Sequence, residues 1–170
     1  MRERGYLLTY IVVLVVQIII FNYLDLSHYV LLSLMPAAVM MLPMSCGVLP
    51  AMALAFASGL ALDFLCDGVP GLNALALTPV AYFRFNIIRA VFGSEVFARK
   101  ETISLRKHGA AKMALALLLA QGLFVIIYVW ADGAGTRPFW FNLVKCLLST
   151  LAGLLASLGA SSVMTPEERD

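Results

Sequence analysis

The feature that most constrains this chain is an apolar run from Tyr29 to Cys66, 38 residues in which Asp63 is the only charge. As one helix it would extend about 57 Å at 1.5 Å per residue. The hydrocarbon core of a bilayer is only about 30 Å thick. The run therefore has to fold back once. Leu42-Pro43-Met44-Ser45-Cys46-Gly47 is the natural place, because Pro and Gly punctuate helices.

Such a run belongs in lipid, and the composition agrees. Of 170 residues, 62% are hydrophobic and 13% are charged, against about 25% charged in soluble domains. A soluble chain of this length lacks the core volume to hide so many apolar residues. These figures argue against a soluble enzyme, a nucleic-acid-binding domain and a disordered tail. The formal charge of +2 is too weak to imply a nucleic-acid partner. Cys46, Cys66 and Cys146 have neither paired nor clustered spacing, so they read as small buried hydrophobes and not as a disulfide framework or zinc site. Phe21-Asn22-Tyr23-Leu24-Asp25 lacks the small-residue pattern of a cleavage site, so the first apolar segment reads as an anchored helix.

The expected fold is an all-α integral membrane protein, one polytopic domain over 1–170. Six spans are predicted, over 6–23, 29–43, 47–66, 72–92, 110–130 and 139–163, since a crossing needs about 20 residues. Basic residues set the orientation. Arg2 and Arg4 precede the first span. Arg99, Lys100, Arg106 and Lys107 lie between the fourth and fifth, flanked by Arg89 and Lys112. The segments around Asp25 and Asp67 carry no Lys or Arg, and that around Asp132 has only Arg137. Both the N-terminus and the Gly93–Gly109 loop are thus expected in the cytoplasm, which requires an even number of crossings between them. Tyr128, Trp130, Phe139, Trp140 and Phe141 fit the outer interface, where amphipathic rings collect.

Polar groups inside a membrane are costly, so each calls for a reading. Gly59, Asp63 and Asp67 are four apart and share a helix face. Gly68 suits a helix stop and Pro70 follows it. Counting from a turn near residue 69, Asp63 lies about 9 Å deep and Arg84 about 22 Å deep, which separates them. Lys145 is again about 9 Å from the outer face. Asp63 and Lys145 are therefore the candidate buried pair, beside the alternative that Lys145 snorkels to headgroups. Gln17, Asn73, Gln121 and Asn142 favour the outer half, either lining a pocket or bonding between helices. Arg84 and Arg89, with Arg99, Lys100, Arg106 and Lys107, read as a cytoplasmic basic segment that faces lipid headgroups or a protein partner. Small residues recur at Ala51, Ala55 and Gly59, and at Ala152, Ala156 and Ala160, as a packing or partner stripe. Pro36, Pro43, Pro50 and Pro79 lie in or near spans. No catalytic, cofactor-binding or metal-binding residues are expected. His28 and His108 fall in loops at opposite faces, and no phosphate-cradling loop or nucleophile with a base is present.

Gly59-Leu60-x-x-Asp63, followed by Gly68, Gly71 and Ala74-Leu75, resembles the turn motif of the rod shape-determining MreD family. Length, span count and short loops match along essentially the whole chain, while Asp67 is not assigned to the family pattern. The resemblance implies a bundle similar to the substrate-binding subunit of energy-coupling-factor transporters. It implies a non-enzymatic scaffold of the cell-elongation machinery in the bacterial inner membrane, with both termini cytoplasmic. The implied partner is MreC, within a wider complex of MreB, RodA and a penicillin-binding transpeptidase. Membrane lipid and a second copy of the chain are further candidate partners. The alternative from another class is a subunit that binds a small, vitamin-like molecule for a transporter.

Overall fold

Prolines 36 and 43 decide how the long apolar run folds. A proline has no backbone N–H and fits only the first turn of a helix. In the computed structural model, which describes residues 2–23, 30–67, 69–93, 109–133 and 137–164, helix α2 is correspondingly short. It covers only Met35–Met40, with Pro36 in its first turn. Residues 30–34 are irregular and 41–47 form turns. The expected helical span over 29–43 is thus corrected. A six-residue helix is about 9 Å long, far short of a bilayer, because Pro36 stops it from extending backwards and Pro43 from extending forwards.

Five helices are long and apolar enough to cross a membrane. They are α1 (Arg2–Tyr23), α3 (Val48–Leu62) with the turn that carries the span on to Cys66, α4 (Leu72–Phe92), α5 (Ala110–Gly133) and α6 (Phe139–Met164). No strand occurs among the described residues. The last turn of α3 widens into a π-helical turn over Asp63–Asp67.

Contacts fix the directions. Tyr10 on α1 shares a 2.8 Å hydrogen bond with Ser58 on α3. Twelve residues further along α1, Asn22 donates to Cys66 at 3.5 Å. The two helices therefore run parallel. The described part of the connection, the broken segment over residues 30–47, lies between the Tyr23 end of α1 and the Val48 start of α3 at the opposite end of the bundle. Helices α3 and α4 form an antiparallel hairpin. Helices α5 and α6 do likewise, with Gly133 against Asn142 and Gly153 against Gln121.

The core follows from this order. Every residue of α2 is buried, packed among α1, α4 and α5. It joins Leu62, Leu77, Val80, Ile88, Leu117 and Phe124 in one apolar cluster. Leu8, Ile11, Val12 and Ile19 on α1, and Leu147, Leu151 and Leu155 on α6, point outward. The inward face of α6 is the opposite: Asn142, Lys145, Ser149, Gly153 and Ser157 are buried at spacings of three or four. These helices keep apolar residues outside and polar ones inside, the arrangement lipid favours.

Candidate functional site

A proline leaves a carbonyl behind. Pro36 has no N–H for the carbonyl of Leu32 four residues earlier, and at membrane depth an unpaired carbonyl is costly. Gln17 on α1 supplies the missing donor: its Nε2 donates to the Leu32 oxygen at 2.9 Å. Its Oε1 accepts the N–H of Leu34 at 2.7 Å. On α6, Ser149 accepts the N–H of Leu31 at 2.8 Å. One carboxamide and one hydroxyl thus hold the irregular stretch between the two outermost helices.

At the other end of the segment Arg84 does the same work. It is fully buried. Its Nε donates to Met40 at 3.4 Å, and its Nη2 donates to the carbonyls of Leu42 and of Pro43, the latter at 3.3 Å. These oxygens close the C-terminal end of α2, where a cation is favoured. Phe85 lies under the guanidinium, 5.2 Å from carbon to ring centre. The reading of Arg84 as part of a headgroup-facing basic segment is corrected: freed carbonyls draw it inward. Arg89 is exposed. Arg99, Lys100, Arg106 and Lys107 lie outside the described residues.

Asp63 anchors the second joint. The residue before α4 is Gly71, held at φ 97° and without a side-chain cap of its own. The first amides of that helix lack helical partners, and Asp63 accepts them from the neighbouring helix. Its Oδ2 takes the N–H of Gly71 at 2.9 Å and of Ala74 at 3.2 Å. Its Oδ1 takes the N–H of Asn73 at 2.7 Å and the Asn73 side-chain amide at 3.0 Å. The carboxylate is thereby buried with four donors at a helix N-terminus, where negative charge is stabilised.

The expected Asp63–Lys145 pair is corrected accordingly. Lys145 meets Asp132 instead, at 3.3 Å, and Asp132 also takes Arg137 at 3.1 Å. Depth alone did not choose the partner. The amides of α4 sit over Asp63 at the turn, while Asp132 ends α5 close to where α6 begins. Gly68 lies outside the described residues, and of Asp67 only the backbone is described. Leu75 is exposed.

The four outer-half polar residues do not converge. Gln17 serves the broken segment and Asn73 serves Asp63. Gln121 packs on Gly153, and Asn142 on Gly133. Of the small-residue stripes, Ala51 and Ala55 are fully buried beside Gly59. Ala152, Ala156 and Ala160 are only half-buried. The stripe that faces inward on α6 lies beside them, at Ser149, Gly153 and Ser157. Sequence reasoning missed Ser33, Ser149 and Asp132. The four-residue recurrence of Ser149, Gly153 and Ser157 carried that signal, but the parallel alanine series masked it.

Among the described residues no cluster of three or more His, Cys, Asp or Glu is placed to hold a metal ion. The chain matches no protein-family model, no curated protein and no solved structure.

Proposed function

We propose that this protein is a non-enzymatic membrane scaffold of the bacterial cell-elongation machinery, of the MreD type, which binds the spanning helix of MreC. The supporting observation is that the described motif residues Gly59, Asp63, Gly71 and Ala74 meet in a single joint between two helices. A motif consumed in fixing helix geometry suits a scaffold better than a reaction centre. On this reading the broken segment is a sixth crossing, both termini are cytoplasmic, and the outward leucine and valine faces of α1 and α6 meet lipid or a partner's helix. MreB, RodA and the penicillin-binding transpeptidase then belong to the wider assembly.

The test is co-purification of the full chain with MreC from the same genome, in mild detergent, paired with depletion in a rod-shaped host. A stable complex and rounding cells are expected. A folded protein that never retains MreC, in cells that stay rod-shaped on depletion, overturns the proposal.

A further inference from the structure

Asp132 is the only acidic residue between Ala110 and Met164, and two cations share it. Its Oδ2 takes Arg137 Nη1 at 3.1 Å and Lys145 Nζ at 3.3 Å. Among the described residues neither cation meets a second carboxylate. Two positive charges against one negative leave a net +1 where α5 ends and α6 begins. The Lys145 side chain is nearly buried against Asp132, while that of Arg137 is 38% exposed. Phe141 lies under the guanidinium, 5.4 Å from carbon to ring centre. A guanidinium carries five N–H donors in a flat fork, and Asp132 engages it through one nitrogen.

The rings at this joint set its depth. Trp130 meets Phe139 edge to face at 5.8 Å, and Phe139 meets Trp140 in the same way at 6.5 Å. All three are more than half exposed. Trp130 is two residues from Asp132 and Phe139 two from Arg137, so the row stands beside the charges along the chain. Both helices are long and apolar enough to span, and exposed amphipathic rings at the ends of spanning helices sit at headgroup level. An unbalanced cation at that level faces phosphates. Arginine suits them best, because its planar fork pairs with two oxygens of one phosphate.

We propose that Arg137 and Lys145 bind the phosphate of an anionic phospholipid, with the Trp130–Phe139–Trp140 row along its glycerol and upper acyl chains. Asp132 sets the charge of the site. It holds the two cations together and leaves one positive charge over, which a headgroup with one net negative charge neutralises. A zwitterionic headgroup brings its own cation and gains nothing from it.

Trp130 and Trp140 are the two tryptophans of the chain, so intrinsic fluorescence reads this joint alone. The test reconstitutes the full chain in phosphatidylcholine vesicles with a fixed fraction of either dibrominated phosphatidylglycerol or dibrominated phosphatidylcholine, whose bromines quench tryptophan on contact. Phosphatidylglycerol is expected about fivefold enriched at the rings, the preference that one net interfacial cation supplies. Arg137→Gln brings the net charge to zero and should abolish the enrichment. Asp132→Asn raises it to +2 and should increase the enrichment. Lys112→Gln, about 30 Å back along α5 from Asp132, should change nothing. Equal quenching by the two lipids in the unmodified protein overturns the proposal. Enrichment that survives in Arg137→Gln, or that is lost equally in Lys112→Gln, overturns it as well. So does enrichment that falls in an Asp132→Asn protein of unchanged helix content, since the ion pairs then serve structure alone. Loss of the enrichment in millimolar inorganic phosphate, but not in chloride of the same ionic strength, identifies a free-phosphate site and overturns the lipid assignment.

Discussion

Gly59 of α3 lies so close to Ala74 of α4 that a Cβ on the glycine would sit 2.5 Å from the alanine's Cα. The contact is with backbone, which cannot rotate away as a side chain can. Adding even a methyl group must push the two helices apart and lengthen the bonds from Asp63 to the first amides of α4.

Gly59→Ala is therefore expected to cost about 1–3 kcal/mol, the usual range for overpacking. Gly122→Ala is the matched control, since a Cβ there meets nothing within 4 Å. That change is expected to be neutral or to stabilise its helix by about 0.5–1 kcal/mol. Denaturant unfolding in detergent, followed by circular dichroism, measures both. Equal effects of the two substitutions would refute the close-approach account.

Asp63→Ala removes the acceptor for four donors at once. Hydrogen bonds to a charged group contribute about 1.5–3 kcal/mol each, so a loss beyond that of any single surface change is expected. Asp63→Asn keeps one acceptor oxygen but turns an amide group toward N–H donors, so it recovers only part of the loss. Lys145→Met is expected to leave this joint intact, because Lys145 pairs with Asp132. A double variant of Asp63 and Lys145 should therefore be additive within about 0.5 kcal/mol.

The helices were legible in the sequence because lipid enforces a simple rule of length and apolarity. Spans 72–92 and 110–130 match α4 and α5 closely, and the α3–α4 turn was visible in Gly59, Asp63 and Gly71. The second span failed for a reason also in the sequence. Pro36 sits within it, and a proline in mid-run frees a carbonyl that hydropathy does not register. Arg84 was misplaced for the same reason: its partners are carbonyls, and only the broken backbone exposes them. Partner choice was the least legible, because Asp63 and Lys145 agree in depth while each has a nearer partner.

Gln17 carries both ends of its carboxamide on the broken segment. Gln17→Leu leaves the Leu32 carbonyl and the Leu34 N–H unpaired, at about 1–3 kcal/mol for each buried orphan. The loss should appear as a lower midpoint of unfolding in detergent. Val13→Ala, one turn away on the same buried face, is the comparison for lost packing alone. A Gln17→Leu protein as stable as the parent would show that these bonds do not hold the segment.

Arg84 holds the turn that carries Cys46, whose N–H reaches the Pro43 carbonyl at 3.0 Å. Arg84→Ala frees the Met40, Leu42 and Pro43 oxygens and loosens that turn. A weakening of about 1.4 kcal/mol is a tenfold rise in the open population, so maleimide alkylation of Cys46 should quicken by roughly that factor. Arg84→Lys can place its ammonium but not a planar fork, so its rate is expected between the two. Cys146, distant on α6, serves as the internal reference and should not change.

The parallel course of α1 and α3 yields the sharpest test of topology. It places Tyr23 and Val69 at one end of the bundle and Ser45 at the other, and all three are exposed. Single cysteines at these positions, in a chain with Cys46, Cys66 and Cys146 replaced by alanine, can be labelled in intact cells with an impermeant maleimide. Positions 23 and 69 are expected to react from outside, because the segments near them lack basic residues. Position 45 should react only after the membrane is opened. If position 45 labels from the same side as the other two, neither residues 30–47 nor α3 crosses the bilayer, and the parallel course of two spanning helices α1 and α3 is refuted.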